Sequence, residues 1–139
     1  MSSYADPADI AHLKHHTAVW AVVGLGNNPE RPAFGVARFL QQRGKRIVPV
    51  YPRAEEVHGE QGYATLTEAA AAVGGIDVVD CFVNSSRVGA VVDEAIAIGA
   101  KAVWLQLDVI DDAAAQRARD AGLLVVMNRC PAIEFPQIP

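Results

Sequence analysis

The sequence predicts an α/β domain built on an open, mostly parallel sheet of five to six strands with helices on both faces. Three observations carry that expectation. Short apolar, β-branched runs alternate along the chain with alanine-rich segments of helical period. Each helical segment closes on a glycine that can take the left-handed conformation, at Gly44, Gly74, Gly99 and Gly122. The run from Ile76 to Val83 is almost continuously apolar, as expected for a parallel strand covered on both faces.

Residues 1–17 mix Asp6, Pro7, Asp9 and His12 and read as a helical or irregular segment. Val19 to Gly24 is the first strand, Pro32 to Arg43 a helix, and Ile47 to Tyr51 the second strand, which completes one βαβ unit. The polar stretch Arg53 to Glu60 leads to a short edge strand around Gly62 to Ala64. Thr65 and Glu68 stand at capping-box spacing before Ala69 to Val73, so a short helix follows there. Ile76 to Val83 is then the central strand. Ser85 or Ser86 caps a helix over Val88 to Ile98, and Ala102 to Leu107 is the next strand. Asp111 caps Ala113 to Ala121, Leu123 to Met127 is the last strand, and 130–139 is a proline-rich, irregular tail. Right-handed crossovers wind these units into a Rossmann-like, doubly wound sheet. With strand order 3-2-1-4-5-6, the crevice at the strand ends lies between Gly24 and Asn84.

At 139 residues the chain reads as one domain over 1–139, large enough to bury a core. A net charge of −4 argues against a broad nucleic-acid surface, so any anion site is local. Two cysteines, Cys81 and Cys130, make neither a disulfide scaffold nor a four-ligand zinc site. The N-terminus lacks a signal-peptide core, and the apolar run Ala18 to Leu25 is far short of the roughly 20 residues that span a membrane. A soluble, cytoplasmic protein is expected.

The turn after the first strand reads Gly24-Leu25-Gly26-Asn27-Asn28-Pro29-Glu30-Arg31-Pro32. Glycines let a backbone approach an anion closely, and the helix start that follows offers free N–H groups and the positive end of a dipole. Arg31 adds a charge-assisted contact. Pro29 holds the place of the third glycine of the dinucleotide fingerprint, so the motif departs from that pattern, and a plain tight turn explains it on spacing alone. An NAD site would place a carboxylate at the end of the second strand. Here Tyr51-Pro52-Arg53 stands instead, and a cation there suits a phosphorylated ribose, as in coenzyme A (CoA) or NADP. Tyr51 and Pro52 can pack against an adenine.

Four stretches carry a family resemblance: Val22-Val23-Gly24 with Asn28 to Pro32, Val48 to Pro52, Val103-Trp104-Leu105-Gln106, and Asn128-Arg129-Cys130-Pro131. From about Val19 to Phe135 the sequence resembles the stand-alone CoA-binding domains similar to the N-terminal domain of the succinyl-CoA synthetase α subunit. The resemblance implies that Gly24, Leu25, Gly26, Asn27 and Asn28 contact CoA phosphates. It further implies that Tyr51, Pro52 and Arg53 lie along the adenosine, with Asn84 and Ser85 on the opposite wall. The synthetase's T-G-x-x-G loop is absent, and Tyr51 stands where many stand-alone members carry Asn. Its phosphohistidine domain and nucleotide-grasping partner are missing, so ligase activity does not carry over. The expected ligand is CoA or an acyl-CoA, bound without catalysis. An NADP-linked reductase, or a CoA-transfer component completed by a partner chain, is the alternative.

The remaining candidates have plainer readings. His12, His15 and His16 share a helical spacing without a fourth metal ligand, and His58 has no evident partner in its polar loop. Cys130 reads as a buried structural thiol, though a mixed disulfide with CoA is chemically open to it. Trp104 reads as core with an N–H needing one partner. Arg87 and Arg129 suit either phosphates or surface ion pairs, and Asp108, Asp111 and Asp112 read as loop and cap residues.

Overall fold

The computed structural model describes residues 4–139. Its elements are α1 (Pro7–His15), β1 (Val19–Val23), α2 (Pro32–Gln42), β2 (Arg46–Val50), α3 (Leu66–Val73), β3 (Val78–Cys81), α4 (Ser85–Ala97), β4 (Ala102–Leu105), α5 (Asp112–Asp120), β5 (Leu124–Val126) and α6 (Pro131–Glu134), with a 3₁₀ turn at Phe135–Gln137. The five strands are all parallel, in the order β2-β1-β3-β4-β5. The doubly wound α/β architecture read from the sequence is therefore present.

Alternation along each strand divides the core in two. Ala21, Val79, Cys81, Val103 and Leu105 face one side, where α3, α4 and α5 cover them with Leu66, Val88, Val92, Ala115 and Ala118. Trp20, Val22, Val78, Trp104 and Val126 face the other, under α1, α2 and the C-terminal turn. Helices on both faces explain why the strands are apolar at nearly every position. The four glycines that close α2, α3, α4 and α5 all have positive φ.

The structure corrects three expectations about the elements. The edge strand at Gly62 to Ala64 is reduced to one parallel bridge, Val50 to Tyr63, outside β2. Pro49 accepts from the Tyr63 N–H at 2.9 Å, but it has no N–H of its own to return on that side. The helix expected from Val88 begins at Ser85 with Asn84 as its N-cap residue, so neither serine is the cap. The tail at 130–139 is not irregular: residues 131–137 are helical, and Phe135 packs edge-on against both Trp20 and Trp104 at 5.8 Å.

Two cap readings hold: Thr65 accepts from the Glu68 N–H at 3.1 Å, and Asp111 from the Ala114 N–H at 3.0 Å. Trp104 is fully buried and its indole N–H donates to the Arg129 carbonyl at 2.8 Å. His58 does have partners, with Nε2 2.8 Å from the Phe34 carbonyl and its ring packed at a tilt against Phe34, centroids 4.3 Å apart.

Lys45, legible in the sequence only as a charge beside Gly44, is buried and ends α1. Its ammonium donates to the carbonyls of Lys14 at 2.7 Å and Thr17 at 2.5 Å. The Lys14 carbonyl is one of the orphan carbonyls at the C-terminus of α1, and Thr17 follows the C-cap residue His16. Replacing Lys45 with Met is expected to lower unfolding stability by about 2 kcal/mol, the range for hydrogen bonds to a charged group, in a denaturant titration. An unchanged midpoint would refute that role.

Candidate functional site

The crossovers after β1 and β3 leave the sheet in opposite directions, so the ends of these neighbouring strands define the switch point where open α/β sheets hold ligands. Gly24 stands at this point with φ +100°, and its N–H donates to the Val50 carbonyl at 2.8 Å. A Cβ there would lie 2.5 Å from the Phe82 carbonyl oxygen. Only glycine fits, because twist and the passage of the β3 end both exclude a side chain.

Three cavities open around that turn, and both Gly24 and Arg31 line all of them. The first, about 780 Å³, runs between the ends of β2 and β3 under α4, past Val50, Tyr51, Pro52, Thr65, Asn84 and Arg87. The second, about 500 Å³, is polar and lies over Gly26, Asn27, Asn28, Tyr51, Arg53 and Glu55. The third, about 510 Å³, reaches across the α2 face of the sheet past Ala33, Val36, Phe82, Gln106, Val109 and Cys130.

Local hydrogen bonds pre-form the turn. The Asn28 side chain accepts from the Glu30 N–H at 3.0 Å, and the Arg31 N–H donates to the Asn28 carbonyl at 3.1 Å. Asn27 ties the turn to the following loop by donating to the Glu56 carbonyl at 2.9 Å. The helices flanking the crevice, α2 and α4, have no side-chain cap, whereas α1, α3 and α5 are capped by Asp6, Thr65 and Asp111. Two uncapped helix N-termini therefore point their positive ends at one crevice. Among the described residues no carboxylate lies within salt-bridge distance of Arg31, Arg53 or Arg87.

Of the residues singled out in the sequence, Gly24, Gly26, Asn27, Asn28, Arg31, Tyr51, Pro52, Arg53 and Asn84 line these cavities. Leu25 is buried in the core under α2. The Ser85 hydroxyl is engaged with the loop after β4, accepting from the Ile110 N–H at 2.9 Å and donating to the Asp108 carbonyl at 3.2 Å. Glu55 was not legible as a site residue. The loop turns back at Ala54, which has φ 51°, and brings the carboxylate beside Gly26 and into the cavity of Arg53.

The histidine cluster is built differently from a metal site. The His12 and His16 rings pack at a tilt with centroids 5.1 Å apart, and His15 Nε2 lies 2.9 Å from the Pro139 carbonyl oxygen. Among the described residues no three His, Cys, Asp or Glu side chains are grouped to hold a metal, and no helix is long and apolar enough to cross a membrane.

A parallel doubly wound sheet with a glycine turn, unpaired arginines and uncapped helix N-termini at its switch point defines a nucleotide-binding α/β domain. The profile of the CoA binding domain family matches residues 18–136, and the chain belongs to that family. It is 30% identical over 123 residues to the uncharacterized protein YneT of Bacillus subtilis (strain 168), covering 88% of this chain and 89% of that one. A hypothetical protein from Pyrococcus horikoshii OT3 superposes with a TM-score of 0.88 at 34% identity, over 96% of this chain and 92% of that one. A dinucleotide-forming acetyl-coenzyme A synthetase 1 from Ca. Korarchaeum cryptofilum shares the fold, with a TM-score of 0.71 at 22% identity. That match covers 86% of this chain and 28% of the synthetase.

Proposed function

We propose that the domain binds CoA or an acyl-CoA across the three cavities, with the pyrophosphate at Gly24 and Arg31, and that it acts as a carrier or reporter of the ligand rather than as an enzyme. The observation that carries this reading is the convergence of the cavities on those two residues. CoA has three parts of different chemistry joined at its pyrophosphate: a flat adenine, a phosphorylated ribose and a long, largely apolar pantetheine. The first cavity, with Tyr51 and Pro52 beside Val50, suits the adenine. The polar second cavity suits the ribose phosphate at Arg53, and the apolar third suits the pantetheine arm. Family membership favours CoA over NADP as the phosphorylated nucleotide.

Calorimetry with CoA, desphospho-CoA, NADP and NAD tests the reading. CoA is expected to bind tightest, and tighter binding of NAD or NADP would overturn it. Arg53→Ala is expected to weaken CoA about tenfold and leave desphospho-CoA unchanged, in line with the ~1.4 kcal/mol of one charge-assisted contact. Glu55→Gln removes a carboxylate from the same cavity and is expected to tighten CoA about threefold, the modest size of a solvent-screened interaction. Equal effects on CoA and desphospho-CoA would place the ribose phosphate elsewhere.

A further inference from the structure

The third cavity ends on two groups that phosphate binding does not use. Gln106 lies just beyond β4, on the face that carries Trp104. It is only 6% exposed, lines the cavity, and its Oε1 has no hydrogen-bond partner. A buried carbonyl-type acceptor left without a donor costs about 1–3 kcal/mol. Because Oε1 is sealed from solvent and holds no partner, a turn of the Gln106 carboxamide that presents it to a ligand donor in the cavity sacrifices no hydrogen bond of the oxygen. Cys130, also 6% exposed, lines the same cavity. Ala33, Val36, Phe82 and Val109 give the wall a largely apolar surface, to which Arg31, Asn84 and Asp108 add polar groups.

We propose that this cavity is a thiol-exchange site, in which Gln106 accepts a hydrogen bond from the terminal amide N–H of a pantetheine arm and Cys130 forms a mixed disulfide with CoA. The inference rests on the CoA reading above. CoA carries an amide N–H two carbons from its sulfur, so a chain entering from Gly24 and Arg31 presents a donor and then a thiol to this wall. The co-reactant is the symmetric CoA disulfide. The Cys130 thiolate attacks one of its sulfurs, and the bond between the two CoA sulfurs breaks. A Cys130–CoA disulfide forms, and the second CoA leaves as a thiolate that takes up the proton Cys130 gave up. One disulfide is exchanged for another, so no further oxidant is needed.

Cys81 provides an internal control. It lies on the opposite face of the sheet, fully buried among α3, α4 and α5, and lines none of the three cavities. Burial, reinforced by Asp80, pushes its thiol well above the usual range, so it stays protonated and unreactive.

Intact mass after incubation of the full chain with CoA disulfide tests the proposal. The expected product gains one CoA less two hydrogen atoms, a peptide map places it on Cys130 alone, and reductant reverses it. CoA disulfide is expected to react at least tenfold faster than glutathione disulfide at equal concentration, and excess desulfo-CoA to suppress the reaction. Gln106→Leu is expected to slow the adduct about tenfold while leaving the slower glutathione reaction unchanged. An unmodified Cys130 in protein that binds CoA by calorimetry would overturn this inference alone. Equal rates with the two disulfides would do so as well. Absence of CoA binding altogether would overturn the CoA reading and this inference with it.

Discussion

Gly24→Ala is expected to lower unfolding stability by about 3 kcal/mol and to reduce CoA affinity at least a hundredfold. Two costs add. A side chain at φ +100° is strained by roughly 1–2 kcal/mol, and the new Cβ would sit 2.5 Å from the Phe82 carbonyl oxygen. That oxygen belongs to backbone leaving β3, so it cannot swing aside as a side chain would. Relief requires the ends of β1 and β3 to separate, which moves Arg31 and α2 relative to Asn84 and α4 and so disturbs the place proposed for the pyrophosphate. Gly26→Ala separates the two effects. Its Cβ would meet only Tyr51 and Glu55 side-chain atoms, at 3.5–3.6 Å, so its stability should be near native while affinity falls. Denaturant titration and calorimetry on both variants decide the matter. Native-like stability of Gly24→Ala would remove the steric argument.

The second large effect is a pH dependence set by Asp80. This residue lies in the middle of β3, paired in register with Val22 and Trp104, on the face covered by α1, α2 and the C-terminal turn. It is fully buried, and neither carboxylate oxygen has a hydrogen-bond partner. Burial alone raises its pKa well above the ordinary carboxylate value. Below about pH 4 the carboxyl is protonated both folded and unfolded, and Asp80 contributes no pH dependence. As pH rises past that point the unfolded chain releases its proton and the folded chain keeps it, so the folded state binds more protons and stability falls. The slope is about 1.4 kcal/mol per pH unit until the folded pKa is reached. Asp80→Asn removes this titration. The variant should match the native protein near pH 4 and exceed it by a margin that widens as pH rises, until the folded carboxyl ionises. Parallel stability profiles from pH 4 to 7 would show that the carboxylate is ionised and satisfied in the folded chain.

Asp80 also shows why part of the structure could not be read from the sequence. Within Ile76 to Val83 it looks, like Asp77, like a polar interruption in a buried strand, and strand periodicity gives its face but not its lack of partners. Glu55 is comparable: it lies two residues past Arg53 in a polar loop, and only the turn at Ala54 and the contacts of the loop bring it beside Gly26. Phe135 sits in a proline-rich stretch too short to show helical period. Its place between Trp20 and Trp104 depends on residues more than thirty positions away.

The sequence by itself determined the alternation of strands and helices, the glycines that end the helices, the Thr65 and Asp111 caps, and the glycine turn after β1. These follow from short-range rules, in which residue spacing fixes periodicity, capping and the allowed backbone angles. Tertiary structure alone decided that Gly24 must be glycine because β3 passes it, that Leu25 points into the core, and that Gln106 and Cys130 share a wall with Arg31. Those relations join segments far apart in the chain. They arise from the parallel order β2-β1-β3-β4-β5, which brings the ends of non-consecutive strands to one crevice, and no local pattern records which side chains meet there.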